Sequence, residues 1–143
     1  MSLPLVPFSQ AWADAFREAI NADVTYRRSA TRWQSPLAFV LDDGAPVGLI
    51  GPVALELTLD RGLCNMARII SPDACTAPYV LRADYATWRR IIQGDLDPMQ
   101  AVVRGEVRLS GNLMALMLHA QAVTSLVACA RQVPTQYPDD PRA

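Results

Sequence analysis

The chain has 143 residues, 51% of them hydrophobic and 19% charged, with a net charge of -1. That length holds one domain with a real core, the composition excludes disorder, and the near-zero charge removes any global case for nucleic acid or an acidic membrane surface. All 13 basic residues are Arg, so a Schiff-base lysine and a P-loop lysine are both excluded.

Ser9 is placed to cap a helix running to about Asn21, with Phe8 as a staple and Trp12, Ala15, Phe16, Ala19 and Ile20 as its apolar stripe. Asn21 is the predicted cap of a second short helix, in which Tyr26, Ala30 and Trp33 recur at helical spacing and Arg27, Arg28 and Arg32 face water. From Pro36 the period changes. Leu37 to Leu41 is a β run ended by the turn Asp42-Asp43-Gly44. Val53, Leu55, Leu57 and Leu59 then alternate with Ala54, Glu56, Thr58 and Asp60, apolar in and polar out. Asp60-Arg61-Gly62 predicts a tight hairpin into Leu63 to Ile70, closed by Ser71-Pro72-Asp73. Tyr79 to Ala83 is a fourth strand and Val107 to Ser110 a fifth.

Between the last two strands lie two short helices. Asp84 and Asp97 can cap them, Pro98 suits a first helical position, and Gly94 and Gly105 can end them in the left-handed conformation. A long final helix follows Asn112. It carries Leu113, Leu116, Met117, Ala120, Val123 and Val127 on one side and Met114, Leu118, Ala122 and Cys129 on much of the other. A helix apolar nearly all round is buried on more than one face, and one sheet covers only one. The second face therefore calls for a lipid-like ligand, another subunit or more of the same chain. Five strands with helices at both ends and between the last two describe an α+β domain spanning 1–143: N-terminal helices in 1–33, a core in 34–131 and an extended proline-rich tail in 132–143.

The residues offer little for catalysis or metal binding. His119, the single histidine, lies in an apolar helix with no His, Cys or carboxylate at ligand spacing, so no metal site is expected. No G-x-S-x-G elbow is present, and the glycine-rich run from Gly44 to Gly51 leads into a strand rather than a helix, so no catalytic residue and no cofactor is assigned. Cys64, Cys75 and Cys129 are odd in number and widely spaced, which favours reduced thiols in a cytoplasmic protein. The start of the chain lacks a basic and an apolar signal region, and no uninterrupted apolar run reaches membrane-spanning length.

The stretch from Pro36 to Arg131 resembles the sterol carrier protein type of lipid-transfer domain. The resemblance rests on the alternating VALELTL strand, on Trp88-Arg89-Arg90-Ile91-Ile92 followed by Gly94, on Leu96 to Ala101, and on Gly105 followed by Val107 to Asn112 entering the last helix. The N-terminal helices and the segment Cys129 to Thr135 look like the stand-alone bacterial members. Asn112 stands where an acidic residue is common, and the chain has no Ser-Lys-Leu ending. What the resemblance implies is a mostly antiparallel five-stranded sheet covered by helices, with an apolar tunnel between the layers that binds fatty acids, acyl-CoA esters, sterols or phospholipids without catalysis.

On that basis Leu55, Leu57, Leu59 and Met66 of the sheet and Trp88, Ile92, Met99, Leu113, Met114 and Met117 of the helices are expected to bound the cavity, with methionine suited to guests of varied shape. The expected partner is a hydrophobic small molecule or lipid, not nucleic acid, with transient membrane contact and a homodimer both compatible. The rival expectation is a dimeric interaction or accessory module in lipid or quinone metabolism that uses the same apolar surface.

Overall fold

The computed structural model describes residues 3–138. The part of the predicted tail from 139 to 143 lies outside the described residues, as do residues 1 and 2. Six helices and five strands occur among them: α1 (Gln10–Ala22), α2 (Val24–Ser29), β1 (Leu37–Leu41), β2 (Val53–Asp60), β3 (Leu63–Ile70), β4 (Tyr79–Ala83), α3 (Tyr85–Gln93), α4 (Pro98–Arg104), β5 (Arg108–Ser110), α5 (Leu113–Leu118) and α6 (Ala120–Cys129). Short 3₁₀ turns at Ala45–Val47, Pro72–Ala74 and Ala130–Gln132 complete them.

The strands form one sheet in the order β3-β2-β1-β4-β5. β1 and β4 run parallel and every other pair is antiparallel. Arg61 and Gly62 both take positive φ, at 50° and 90°, which is what a two-residue hairpin between right-twisted strands requires. Leu37, Phe39, Leu41, Leu55, Leu57, Leu59 and Leu81 face the helices and are all at most 4% exposed. The opposite face carries ion pairs instead. Glu56 accepts two hydrogen bonds from Arg68 at 2.7 and 3.0 Å, and Asp42 pairs with Arg82 and Arg108.

The helices start where short polar side chains free a backbone amide. Ser9, Asp23, Asp84, Asp97 and Asn112 each accept from the N–H three residues on. Gly94 and Gly105 end α3 and α4 in the left-handed region.

Three expectations are corrected. Asp23 rather than Asn21 caps α2, because the Asn21 side chain is engaged with the Cys64 backbone, accepting from its N–H at 2.7 Å and donating to its carbonyl at 3.0 Å. Helix α2 stops at Ser29, which leaves Trp33 in the turn beyond it. The expected long final helix is broken at His119, whose φ of -113° and ψ of 27° separate α5 from α6. The two pieces bury different residues: Leu116 in α5, but Ala122, Val123, Leu126, Val127 and Cys129 in α6.

Candidate functional site

Between sheet and helices the core closes on an apolar void of about 20 Å³, lined by Phe8, Trp12, Phe16, Phe39, Leu55, Trp88, Ile92, Val127 and Ala130. Phe39 of β1 and Leu55 of β2 form its floor, while α1, α3, α6 and the turn after it supply the walls. The aromatic rings are fixed against one another. Phe8 stacks on Trp12 at 5.9 Å, Trp12 meets Phe16 at 5.3 Å, and Phe39 stands edge-on to Trp88 at 5.3 Å. Both tryptophans satisfy their indole N–H away from the void, Trp88 on the Val40 carbonyl at 2.8 Å and Trp12 on the Thr135 hydroxyl at 3.0 Å. The surface they turn to the void is therefore purely apolar. A space of this size holds a single water-sized sphere, and a wholly apolar one favours a dry or hydrocarbon occupant over water.

The residues predicted to bound a cavity divide into four groups. Leu55, Trp88 and Ile92 line the void. Leu57 and Leu59 are equally buried but pack into the filled part of the core. Met99 and Met117 instead meet in an open groove of about 240 Å³ between α4 and α5, with Val103 and Arg104, and Leu113 lines a neighbouring groove. Met114, 71% exposed, points to solvent. Met66, expected on the cavity side of the sheet, pairs with Thr58 on the outer face and is 52% exposed. A register shift between Thr58 and Leu59 puts Cys64 opposite Leu59 and Ala67 opposite Leu57, so those two small residues take the inward positions.

Sequence reasoning does not single out Phe8, Trp12, Phe16, Phe39, Val127 or Ala130 as site residues. Their apolar spacing is visible in the sequence, but it marks a buried face and does not separate a void lining from ordinary packing.

The reactive side chains lie apart from the void. His119 packs edge-on against Trp33 at 5.1 Å. Burial pushes the Cys64 thiol up to about 11, and burial together with nearby Asp23 pushes Cys129 up to about 12. Among the described residues no group of three or more His, Cys, Asp or Glu side chains is arranged to hold a metal ion. Among the same residues no helix is long and apolar enough to cross a membrane.

A five-stranded sheet covered by helices, with an aromatic-lined apolar space between the layers, defines a small lipid-binding type of domain. The chain belongs to the SCP-2 sterol transfer family, whose model matches residues 15–124, and membership implies lipid binding or transfer in general. It is similar to the crystal structure of sterol carrier protein 2, with 35% identity, a TM-score of 0.83, and 89% of this chain and 98% of that one covered. It is similar also to the solution structure of a conserved Thermus thermophilus protein suggested to be a sterol carrier protein, at 34% identity, TM-score 0.84 and 94% of each chain. A UbiJ-SCP2 ubiquinone synthesis protein shares the fold at 14% identity and TM-score 0.52, with 94% of this chain and 100% of that one covered. No curated protein sequence matches the chain.

Proposed function

We propose that this domain takes up one hydrophobic small molecule of the fatty acid, acyl-CoA, sterol or phospholipid class between its helix layer and its sheet, and passes it on unchanged. The observation that carries this is the wholly apolar void where the two layers meet. At about 20 Å³ it is a seed for a guest rather than a finished pocket, so uptake requires the layers to separate. The energetics permit this. About fifteen methylenes leaving water gain on the order of 10 kcal/mol before ordering costs, which is comparable with the whole stability of a domain. Relative to a bilayer the same transfer is nearly neutral, so loading and unloading need no energy source. The buried, protonated thiols and the ring-packed His119 support binding without catalysis.

Trp12 and Trp88 make the test direct. Titration of delipidated protein with a fatty acid brominated along its chain is expected to quench tryptophan emission and saturate at about one equivalent. Bound ligand that leaves both tryptophans unquenched would place the guest elsewhere.

A second reading is favoured by the outer surface of α4 and α5, where Val103, Met114 and Leu118 are 67%, 71% and 83% exposed. In that reading a second copy of the chain covers this stripe, and the dimer acts as an accessory module in lipid or quinone metabolism. Sedimentation separates the two: a tight dimer without lipid uptake favours the second.

A further inference from the structure

The surface above the void holds a second feature. A cleft of about 410 Å³ opens between the end of α3 and the segment that follows α6, with Ile92, Gln93, Ala130, Arg131, Pro134 and Tyr137 among its walls. Ile92 and Ala130 line both this cleft and the inner void, so a single layer of side chains separates the two spaces. Ile92 is 5% exposed and Ala130 2%, which makes that layer closed in the present conformation.

A cation stands at the mouth. The Arg131 Nε–H donates to the Ile92 carbonyl at 3.2 Å. Its guanidinium lies over Gly94, where an added Cβ would come within 3.0 Å of Cζ and Nε, so the absence of a side chain there gives the group its seat. Among the described residues its two terminal nitrogens make no hydrogen bond to protein, and they are the atoms of the planar fork that suit an oxyanion. A second guanidinium, Arg89, stacks 5.4 Å above the Tyr137 ring that walls the same cleft. Helix-end capping accounts for the Nε contact but leaves the remaining donors unused.

We propose that this cleft is the head-group site of the lipid pocket. It takes a single-chain amphiphile with an anionic oxygen head, a carboxylate or a phosphate monoester, whose oxygens lie on the terminal nitrogens of Arg131. The chain passes between Ile92 and Ala130 into the space bounded by Trp12, Phe39 and Trp88. This assignment rests on the proposed uptake of an apolar guest by the interior, and it adds both the polarity of the guest and its route.

Calorimetric titration of the delipidated full chain with decanoate, decyl phosphate and decanol tests it. Charge-assisted hydrogen bonds predict that at least one of the two anions binds the parent protein about tenfold more tightly than the alcohol. A larger preference for decanoate identifies a fatty-acid carboxylate, and one for decyl phosphate a phosphorylated head. Arg131→Gln is expected to bring the anions to the decanol affinity while leaving decanol unchanged, and Arg131→Lys to keep part of the preference. Ile92→Trp, which narrows the passage, is expected to weaken all three together. If Arg131→Gln retains the anion preference, or the parent shows none while still binding decanol, the head-group site is wrong and the interior reading stands. If Ile92→Trp leaves every affinity unchanged, the route is wrong. If none of the three binds, the reading of the interior fails and the head-group site with it.

Discussion

Leu55 is the residue through which the packing argument is most sharply exposed to measurement. It is 1% exposed on β2, in the centre of the sheet, and lines the void directly. Leu55→Ala removes about three methylene-sized groups at about 0.8 kcal/mol each, a transfer loss of about 2.4 kcal/mol. The cavity left behind adds about 24 cal/mol per Å³ of space that does not collapse, which brings the expected total to about 3–5 kcal/mol. Collapse should be limited here, because Trp12 and Trp88 are tethered by their indole hydrogen bonds. The same enlargement removes part of the cost of opening the pocket, so the variant should bind a medium-chain fatty acid more tightly than the parent. Ligand at a hundred times its dissociation constant stabilises by about 2.7 kcal/mol, and at one fixed concentration the gain in Leu55→Ala should exceed that in the parent. Urea unfolding with and without decanoate reads both quantities. Leu57→Ala is the control, since Leu57 is just as buried but does not line the void. It should cost a similar amount with no extra response to ligand. A Leu55→Ala loss below about 1 kcal/mol, or a ligand response equal in the two variants, would refute the reasoning.

Four other outcomes follow from the structure. Burial pushes the Glu56 carboxyl up, but hydrogen bonds from Arg68, Thr76 and Cys75 outweigh it and hold the group below 4.5, while the Thr87 hydroxyl and N–H hold Asp84 below 3.8. Unfolded carboxyls therefore take protons first on acidification. Their stability contribution is complete above the unfolded values and is lost as pH falls through the folded ones, and urea midpoints that stay constant from about pH 6 down to about pH 3 would contradict it. The raised thiols act at the other end: stability is full below 9.0 and declines as pH rises towards about 11 for Cys64 and about 12 for Cys129, which alkaline urea midpoints would report. Gly62→Ala places a Cβ 2.8 Å from the Arg27 Cα and 2.9 Å from its carbonyl oxygen at a φ of +90°, so a loss of about 1–3 kcal/mol is expected in thermal unfolding. Met114→Gln with Leu118→Gln, on the exposed stripe, should change stability by about 0.5 kcal/mol or less each and leave quenching by brominated fatty acid intact; loss of a dimer in sedimentation would instead support the self-association reading.

Local chemistry made most of the fold legible. The apolar alternation and its turn residues placed β1, β2, β3 and β4 at their observed bounds, and capping residues with positive-φ glycines placed α1, α3 and α4. Where the sequence misled, a distant partner decided the matter. No proline or glycine marks the break at His119. On its two sides α5 turns Met114 and Leu118 outward while α6 buries Val123, Leu126 and Val127, and the two apolar sets combine in sequence into one helix that looks greasy all round. Asn21 is as good a cap as Asp23 by type, but its side chain holds the β3 backbone across 43 residues. Met66 fits either face until the register shift beside Leu59 assigns it outward. The void was the least legible feature, since Phe8, Trp12, Phe39 and Ala130 meet only after α1, the sheet and the end of α6 have docked.

The central claim is that a closed apolar seed of about 20 Å³ opens to admit one guest. Native mass spectrometry of the delipidated full chain with a long-chain fatty acid, beside Val127→Ile as a variant whose added methylene fills the void, measures this most directly. The account predicts one bound fatty acid per chain for the parent and a sharply reduced adduct for the variant. A parent that stays free of adduct, or a variant that loads as fully as the parent, would contradict it.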